Sequence, residues 1–120
     1  KKYLFSLQER VRLVTDSLAE LGIEGVSVEI IPTGVLLAEY AAQRGASALV
    51  KGLRSGTDYG YEAPMASMNR HLSKVETVFL AGEDRYGGVS STIIREVASL
   101  GGDVRPFVPQ VVAHALAQRH

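Results

Sequence analysis

Helix-type and strand-type patterns alternate along this chain, and this alternation limits its possible folds more than any other feature. Between residues 6 and 21 apolar side chains repeat at helical spacing, and Ser6 and Glu9 have the spacing of a capping box. Three short apolar runs are typical of strands and span residues 26–30, 47–50 and 75–81. Such an order predicts an α/β fold, with a parallel sheet covered by helices on both faces.

The other helix-type patterns lie between and after these runs. They predict helices over residues 35–44, 58–72 and 92–100, the last of these capped by Ser90 or Ser91, and a final helix after Pro109. Pro64 lies inside the second of these patterns. Because an interior proline removes a hydrogen-bond donor and clashes with the preceding turn, we expect the regular helix to begin near Pro64 or to kink there.

The chain begins on a helix-type pattern, although sheets of this class normally begin on a strand. We therefore expect a further strand-containing segment upstream of residue 1. Within the 120 residues there is no repeat, low-complexity tract or linker, so residues 1–120 are predicted to form a single α/β domain.

Composition excludes several classes of function. Thirteen basic and thirteen acidic residues give a formal net charge of zero, so neither nucleic acid nor an anionic membrane is an expected partner. The chain has no cysteine, and His71, His114 and His120 do not have the spacing of metal ligands. No apolar run approaches the length of a membrane span, and the first residues do not form a signal peptide, which predicts a cytoplasmic protein.

Two loops at the carboxyl ends of predicted strands have features that favour anions, and ligands of open α/β sheets bind at that edge. The first contains Lys51-Gly52-Leu53-Arg54, in which glycine permits close backbone approach and two cations flank it. The second spans residues 86–92 and leads into a helix, whose free N–H groups and positive dipole end favour an anion. Both loops are candidate phosphate sites, and we expect them to face a common hollow.

Each loop also has a purely structural explanation. Ser90 and Ser91 can act only as helix caps, and Lys51 and Arg54 can be solvated loop charges. Both loops, however, follow strands at the same edge of one sheet. Their equivalent positions favour the hypothesis that the two loops together bind phosphate.

Several other functions have little support in the sequence. There is no Walker lysine motif, no Gly-x-Gly-x-x-Gly fingerprint and no complete nucleophile elbow, which disfavours P-loop, ordinary dinucleotide-binding and hydrolase functions. Met65 and Met68, at helical spacing, are typical of a core or a subunit interface.

A series of short motifs also runs through the chain almost from end to end. It comprises Lys1 with Phe5 and Glu9-Arg10, Lys51-Gly52-Leu53-Arg54, Thr57-Asp58-Tyr59 with Tyr61-Glu62, Met65-Ala66 with Met68-Asn69-Arg70, Glu76-Thr77-Val78-Phe79-Leu80, Tyr86 with Val89-Ser90-Ser91, and Gly101-Gly102-Asp103-Val104 with Val108-Pro109. In this order the motifs resemble those of the bacterial phosphopantetheine adenylyltransferases, nucleotidyltransferases of coenzyme A biosynthesis.

The resemblance implies a fold, a reaction and an assembly. The fold would be the Rossmann-like nucleotidyltransferase fold, of which this chain would be the carboxy-terminal three quarters, without the first strand or strands. The reaction would transfer an adenylyl group from ATP to 4'-phosphopantetheine, giving dephospho-CoA and pyrophosphate. A magnesium ion, binding of coenzyme A and a homohexamer are also implied.

Residue roles follow from the same resemblance. Lys1 would contact the phosphates and phosphopantetheine, Leu37 would line the pantetheine arm, and Lys51, where the family more often has arginine, would hold the phosphopantetheine phosphate. Contacts with ATP are implied for a larger set, comprising Gly52, Leu53, Arg54, Glu62, Tyr86, Gly87, Gly88, Val89, Ser90, Ser91 and Thr92. None of these residues is implied as a metal ligand.

The chain also departs from the family's pattern. The histidine-glycine-histidine or threonine-glycine-histidine motif of nucleotidyl transfer is not among the 120 residues, so no catalytic residue is assigned and the motif is expected upstream. Gly60 replaces a glutamate, Ala63-Pro64 replaces Leu-Gln, and Gly87-Gly88 replaces Ser-Phe. An alternative therefore stays open: a non-catalytic module that binds nucleotide or coenzyme A, or that assembles with copies of itself.

Overall fold

A computed structural model describes residues 3–119, except for the side chain of Asp84. In these residues the helices are α1 (Leu7–Glu20), α2 (Leu37–Gln43), α3 (Gly56–Ser73), α4 (Ser91–Ser99) and α5 (Gln110–Arg119), and the strands are β1 (Ala48–Leu53) and β2 (Glu76–Ala81). A short 3-10 turn covers Asp84–Tyr86. The chain forms two compact units: the first unit is Lys1–Ile30 with Val89–His120, and the second unit is Ile31–Gly88.

The second unit is built on the parallel pairing of β1 with β2, which runs in register from Ala48 opposite Glu76 to Leu53 opposite Ala81. Val50 of β1 and Thr77, Val78 and Phe79 of β2 are residue types that suit a pleated, half-buried surface. The helices α2 and α3 pack against the strands, and Val75, just before β2, is buried. A parallel sheet packed with helices confirms the predicted α/β class.

The strand β1 is longer than the sequence predicts. The sequence predicts a strand over residues 47–50 followed by a loop that contains Lys51-Gly52-Leu53-Arg54, but Lys51, Gly52 and Leu53 complete the ladder with β2. Lysine and glycine are infrequent in strands, and here the pairing with β2 outweighs that preference. The predicted loop therefore shortens to the two residues between β1 and α3.

The helix α3 begins at Gly56 and continues through Pro64, so the expectation that the regular helix begins near that proline is wrong. Ser55 is the N-cap, and its hydroxyl accepts the N–H of Asp58 at 3.2 Å. This cap starts the helix well before Pro64. Turns on both sides of the proline then hold the helical backbone despite the missing donor.

Residues 26–30 form no strand, although their alternation predicts one. A strand requires a hydrogen-bonded neighbour, and none of the described residues pairs with this segment. The sequence predicts three strands, and the part of the chain that the structure describes contains two of them. The strand predicted over residues 75–81 is confirmed as β2, which begins one residue later.

The first unit contains a small apolar core of Ile94, Val104 and Leu116, to which α4 and α5 contribute, and α1 packs against α5. The predicted helix starts are confirmed here. Ser90 is the cap of α4, and its hydroxyl accepts the N–H of Ile93 at 3.2 Å. None of the described helices is both long and apolar enough to cross a bilayer.

Two glutamates of α1 hold the opposite ends of α5, so that the two helices run antiparallel. Near the end of α1, the Glu20 carboxylate accepts the N–H groups of Gln110 at 2.8 Å and Val111 at 2.9 Å. These donors belong to the first turn of α5 and have no partner within their own helix, and a negative charge there also complements the helix dipole. Near the start of α1, Glu9 pairs with Arg119 at the end of α5.

The predicted capping box at the start of α1 is present in full. The Ser6 N–H donates to Glu9 Oε2 at 2.6 Å, and the Glu9 N–H donates to the Ser6 hydroxyl at 3.1 Å. The hydrogen bond from the Ser6 N–H, more than the charge of Arg119, lowers the pKa of the Glu9 carboxyl. Glu9 therefore links the start of α1 to the end of α5.

We expect Glu9→Gln to lower the melting temperature at neutral pH and to reduce its loss in acid. A carboxyl group with a lowered folded pKa stabilises the fold above its unfolded pKa, and this stabilisation is lost as pH falls through the folded pKa. The measurement is thermal unfolding between neutral pH and about pH 3. Glu24→Gln, outside α1, is the control, and an acid loss that is the same in wild type and Glu9→Gln would contradict this role of Glu9.

Candidate functional site

A cavity of about 240 Å³ lies in the second unit, beside β1. Its apolar wall consists of Val35, Leu36, Leu37, Met65 and Ala66. Polar groups reach the same cavity from Lys51, Glu62, Asn69 and Thr77. An apolar hollow with a few polar groups is the usual form of a small-molecule site.

Lys51 and Glu62 form the charged part of this cavity. The strand β1 carries Lys51 and the helix α3 carries Glu62, and Lys51 Nζ lies 3.4 Å from Glu62 Oε2. The two side chains are 37% and 36% exposed, so the ion pair contributes little to stability. Its consequence is to place an ammonium and a carboxylate side by side at an apolar wall.

The structure therefore brings together three of the predicted site residues, Leu37, Lys51 and Glu62. Asn69 and Thr77 also line this cavity, although the sequence motifs assign neither residue to a site. A helical signal for Asn69 was present, because positions 62, 65, 66 and 69 fall on one face of α3. Thr77 had no such signal, since only the ladder with β1 brings β2 to this wall.

Arg54 follows the last residue of β1, and Asp58 of α3 holds it there. One carboxylate oxygen, Asp58 Oδ2, accepts the backbone N–H of Arg54 at 2.9 Å and its Nε–H at 3.2 Å. The backbone hydrogen bond, followed by the guanidinium, lowers the pKa of the Asp58 carboxyl. The predicted loop cation thus sits in a defined place at the strand end.

Gly52 and Leu53 lie within β1 and not in the loop where they were predicted. Gly52 is opposite Leu80, and the Leu53 carbonyl accepts the N–H of Gly82 at 3.0 Å. A Cβ added at Gly52 would meet no atom within 4 Å. Close approach of a ligand to this glycine stays a prediction.

The second predicted phosphate loop is divided between the two units. Tyr86, Gly87 and Gly88 belong to the second unit, where the Arg85 guanidinium lies 4.5 Å from the centre of the Tyr86 ring. Residues 89–92 belong to the first unit and form the start of α4. Lys1 lies outside the described residues, and the common hollow expected for the Arg54 and Ser90 loops stays a prediction.

The start of α4 borders a cavity of about 410 Å³ in the first unit. Val89, Ser90 and Ser91 line it, together with the guanidinium-bearing Arg10 and Arg95. Arg95 Nη2 lies 3.4 Å from the Thr92 hydroxyl, a long contact. Ser90 acts as the helix cap, as the structural explanation requires, and the first N–H groups of α4 point to the same end of the helix.

Metal-ligand clusters are not found in the part of the chain that the structure describes. No group of three histidine, aspartate or glutamate side chains among those residues is placed to hold a metal ion.

A match to a protein family identifies the general class of this protein. Residues 1–97 match the family described as Cytidylyltransferase-like. The match and the parallel α/β architecture together confirm the expected Rossmann-like nucleotidyltransferase fold.

Similar individual proteins then identify the family within this class. The chain is 56% identical over 112 residues to the phosphopantetheine adenylyltransferase of Renibacterium salmoninarum, covering 93% of this chain and 68% of that protein. The enzyme of the same name from Pseudarthrobacter chlorophenolicus is 56% identical over 116 residues, covering 97% of this chain and 68% of its own length. That from Corynebacterium glutamicum (strain R) is 46% identical over 117 residues, covering 98% of this chain and 71% of its own length. This chain belongs to the phosphopantetheine adenylyltransferase family, as its motifs indicate.

We expect Ser90→Ala to lower the free energy of unfolding by about 1 kcal/mol, because the Ile93 N–H loses its acceptor. Ser90→Asp should retain the wild-type value, since aspartate is an equally good cap and its charge suits the helix N-terminus. Urea unfolding measures both variants. Equal stability of wild type and Ser90→Ala would contradict the capping role.

Proposed function

We propose that this protein transfers the adenylyl group of ATP to 4'-phosphopantetheine, giving dephospho-CoA and pyrophosphate. The observation that carries the proposal is the placing of the Lys51 ammonium in an apolar-walled cavity with Leu37, in a chain that is 56% identical to relatives named for this activity. A cationic ammonium and an apolar wall match the phosphate and the uncharged arm of phosphopantetheine. The non-catalytic alternative is not favoured by these relatives.

The proposed reaction exchanges one phosphorus–oxygen bond for another. A phosphate oxygen of phosphopantetheine attacks the α-phosphorus of ATP in line and forms the new bond to it. The bond between the α-phosphorus and its bridging oxygen breaks, and pyrophosphate leaves with that electron pair. Because such transfers need little covalent participation by the protein, its residues act by positioning the two substrates and by balancing their charge.

Lys51 is proposed to hold the phosphate of phosphopantetheine. Its ammonium is a point charge with three donors, without the planar fork that an arginine would offer to two phosphate oxygens. The neighbouring Glu62 limits where the ammonium can lie, because Nζ and Oε2 are 3.4 Å apart. Leu37 and the rest of the apolar wall are proposed to contact the pantetheine arm.

ATP is proposed to contact residues of both predicted loops. At the end of β1, Gly52, Leu53 and Arg54 offer backbone groups and a guanidinium. Glu62, which only accepts hydrogen bonds when ionised, suits a ribose hydroxyl and not a phosphate.

The remaining proposed ATP contacts come from the second loop, whose members offer hydroxyls and the N–H groups of a helix start: Tyr86, Gly87, Gly88, Val89, Ser90, Ser91 and Thr92. These groups suit the phosphates, because a helix N-terminus favours negative charge. Lys1 is kept as a proposed contact of the phosphates and phosphopantetheine on the strength of its motif.

Magnesium is proposed to enter as part of the substrate, bound to the phosphates of ATP. This ion is commonly held by substrate phosphates and water with few protein ligands, which suits the lack of a carboxylate cluster among the described residues. We also propose the cytoplasm, where ATP is available, as the place of the reaction.

Pyrophosphate release tests the proposed function. With ATP, magnesium and 4'-phosphopantetheine, the protein that carries this chain should release one pyrophosphate for each dephospho-CoA formed, and none when phosphopantetheine is omitted. Binding of both substrates without turnover would refute the enzyme hypothesis and favour the non-catalytic module.

We expect two substitutions in the second unit to separate the two substrates. Lys51→Met should raise the KM for phosphopantetheine by about ten-fold or more, and Arg54→Ala should do the same to the KM for ATP, because each removes a charged hydrogen-bond donor from one phosphate. Lys74→Met and Arg119→Ala are the controls. Steady-state kinetics with each substrate varied in turn makes the measurement, and equal effects of Arg54→Ala and Arg119→Ala would contradict the site assignment.

We propose that the chain also assembles with copies of itself, as the family resemblance implies a homohexamer. One face of α3 supports self-assembly: Tyr61, Met68 and Leu72 follow helical spacing and are 82%, 52% and 56% exposed. Apolar side chains grouped on an exposed surface are typical of interaction sites.

We expect Met68→Glu to shift the protein toward smaller species, because burying an unpaired carboxylate in an interface is unfavourable. Sedimentation velocity measures the size, with Met68→Leu as the control. A wild-type protein that sediments as a monomer at all concentrations, or a Met68→Glu variant that keeps the wild-type size, would contradict an interface at this face.

A further inference from the structure

Asp58 holds Arg54 through both its backbone and its side chain. The motifs assign no function to Asp58, and this arrangement suggests one. Asp58 Oδ2 accepts both the backbone N–H of Arg54, at 2.9 Å, and its Nε–H, at 3.2 Å. Asp58 itself is held by the cap of α3, because its own N–H donates to the Ser55 hydroxyl. The end of β1, the side chain of Arg54 and the first turn of α3 are thus joined through one carboxylate.

Stability does not explain the arrangement. The side chains of Arg54 and Asp58 are 49% and 27% exposed, and ion pairs with this much access to water contribute little to folding. What the contact does provide is orientation, because a free arginine side chain samples many rotamers and this one is held along its Nε edge.

We propose that Asp58 is a positioning residue that orients the Arg54 guanidinium to receive a phosphate of ATP. The proposal rests on the proposed function, because the anion at the end of β1 is taken to be that nucleotide.

The shape of the guanidinium permits both contacts at once. The group is planar, and a phosphate taken by its two Nη nitrogens approaches along a different edge from a carboxylate at Nε. Asp58 can therefore keep its hydrogen bond while Arg54 binds a phosphate. Arginine held in advance loses less rotamer freedom when the nucleotide binds, which favours affinity.

The negative charge of Asp58 acts in the other direction, since it partly offsets the positive charge that attracts the phosphate. Charges near the surface are screened by water and salt, so this loss is small compared with the benefit of orientation. The sign of the net effect is therefore a direct test: removing the carboxylate weakens ATP binding if orientation dominates and strengthens it if charge dominates.

The first unit contains a matched control. Asp103 Oδ1 accepts the backbone N–H of Arg105 at 3.0 Å and its Nε–H at 2.9 Å, and Asp103 Oδ2 accepts from Nη2 at 3.0 Å. The two pairs share the same local contact, but Arg105 lies between α4 and α5 and not at a strand end. Breaking this pair perturbs a similar ion pair without touching the end of β1.

The experiment is a double-mutant cycle on the dissociation constant of ATP, measured by calorimetry with the protein that carries this chain. Arg54→Ala should weaken binding by about ten-fold or more. Asp58→Ala should weaken it by about three- to ten-fold in the wild-type background and by less than about two-fold in the Arg54→Ala background, because it acts through Arg54. Asp103→Ala should leave the constant unchanged.

The proposal is overturned by tighter or unchanged ATP binding by Asp58→Ala, by the same loss from Asp58→Ala with and without Arg54, or by no ATP binding by the wild type. Ser55→Ala tests whether the effect comes only from a looser start of α3, and a loss equal to that of Asp58→Ala would also overturn it. If Asp58→Ala does not fold, Asp58→Asn takes its place in the cycle. Wild-type protein that binds ATP without releasing pyrophosphate refutes the proposed function, while the cycle still decides the role of Asp58.

Discussion

The parallel ladder between β1 and β2 is the constraint on which the candidate site depends. Its register places Lys51 opposite Phe79 and ends the pairing at Leu53 and Ala81. Because successive residues of a strand point to opposite faces, a shift of one residue would remove Lys51 from the cavity that it shares with Glu62. The ladder therefore fixes both the cation inside the cavity and the place where Arg54 leaves the sheet.

The short connection to α3 converts this strand end into a defined arrangement of charges. Ser55 starts the helix directly after Arg54, which puts Asp58 in the first turn beside the arginine. One turn further along the same helix, Glu62 reaches Lys51. Two cations of the second unit thus each meet one acid from α3, and this pairing positions them without removing them from water.

Local signals predicted the parts of the fold that depend on neighbouring residues. The capping box at Ser6, the cap at Ser90 and the last helix after Pro109 are where the sequence places them. The predictions of a strand over residues 26–30 and of a strand ending at residue 50 were wrong. A segment forms a strand only where a neighbouring strand pairs with it, and alternation within one segment does not reveal that neighbour. The expectation that the regular helix begins near Pro64 was wrong, because the cap at Ser55 begins the helix earlier.

The sequence predicted those site residues whose own charge or motif indicates a role in binding. Charge and a neighbouring glycine indicated Lys51 and Arg54, and the motif resemblance added Leu37 and Glu62. Asp58 and Thr77 were not recognised, since their relevance comes from the turn into α3 and from the pairing of β2. In physical terms, the sequence shows which groups can bind an anion, and the tertiary contacts decide which of them are held together.

The most direct test of an ATP site at the end of β1 is a titration of isotope-labelled protein with ATP, followed through the backbone amide resonances in nuclear magnetic resonance. If ATP binds where β1 ends, Gly52, Arg54 and Ser55 show saturable shifts and Arg105 shows none. Saturable binding of ATP with no change at the end of β1 would contradict a site there.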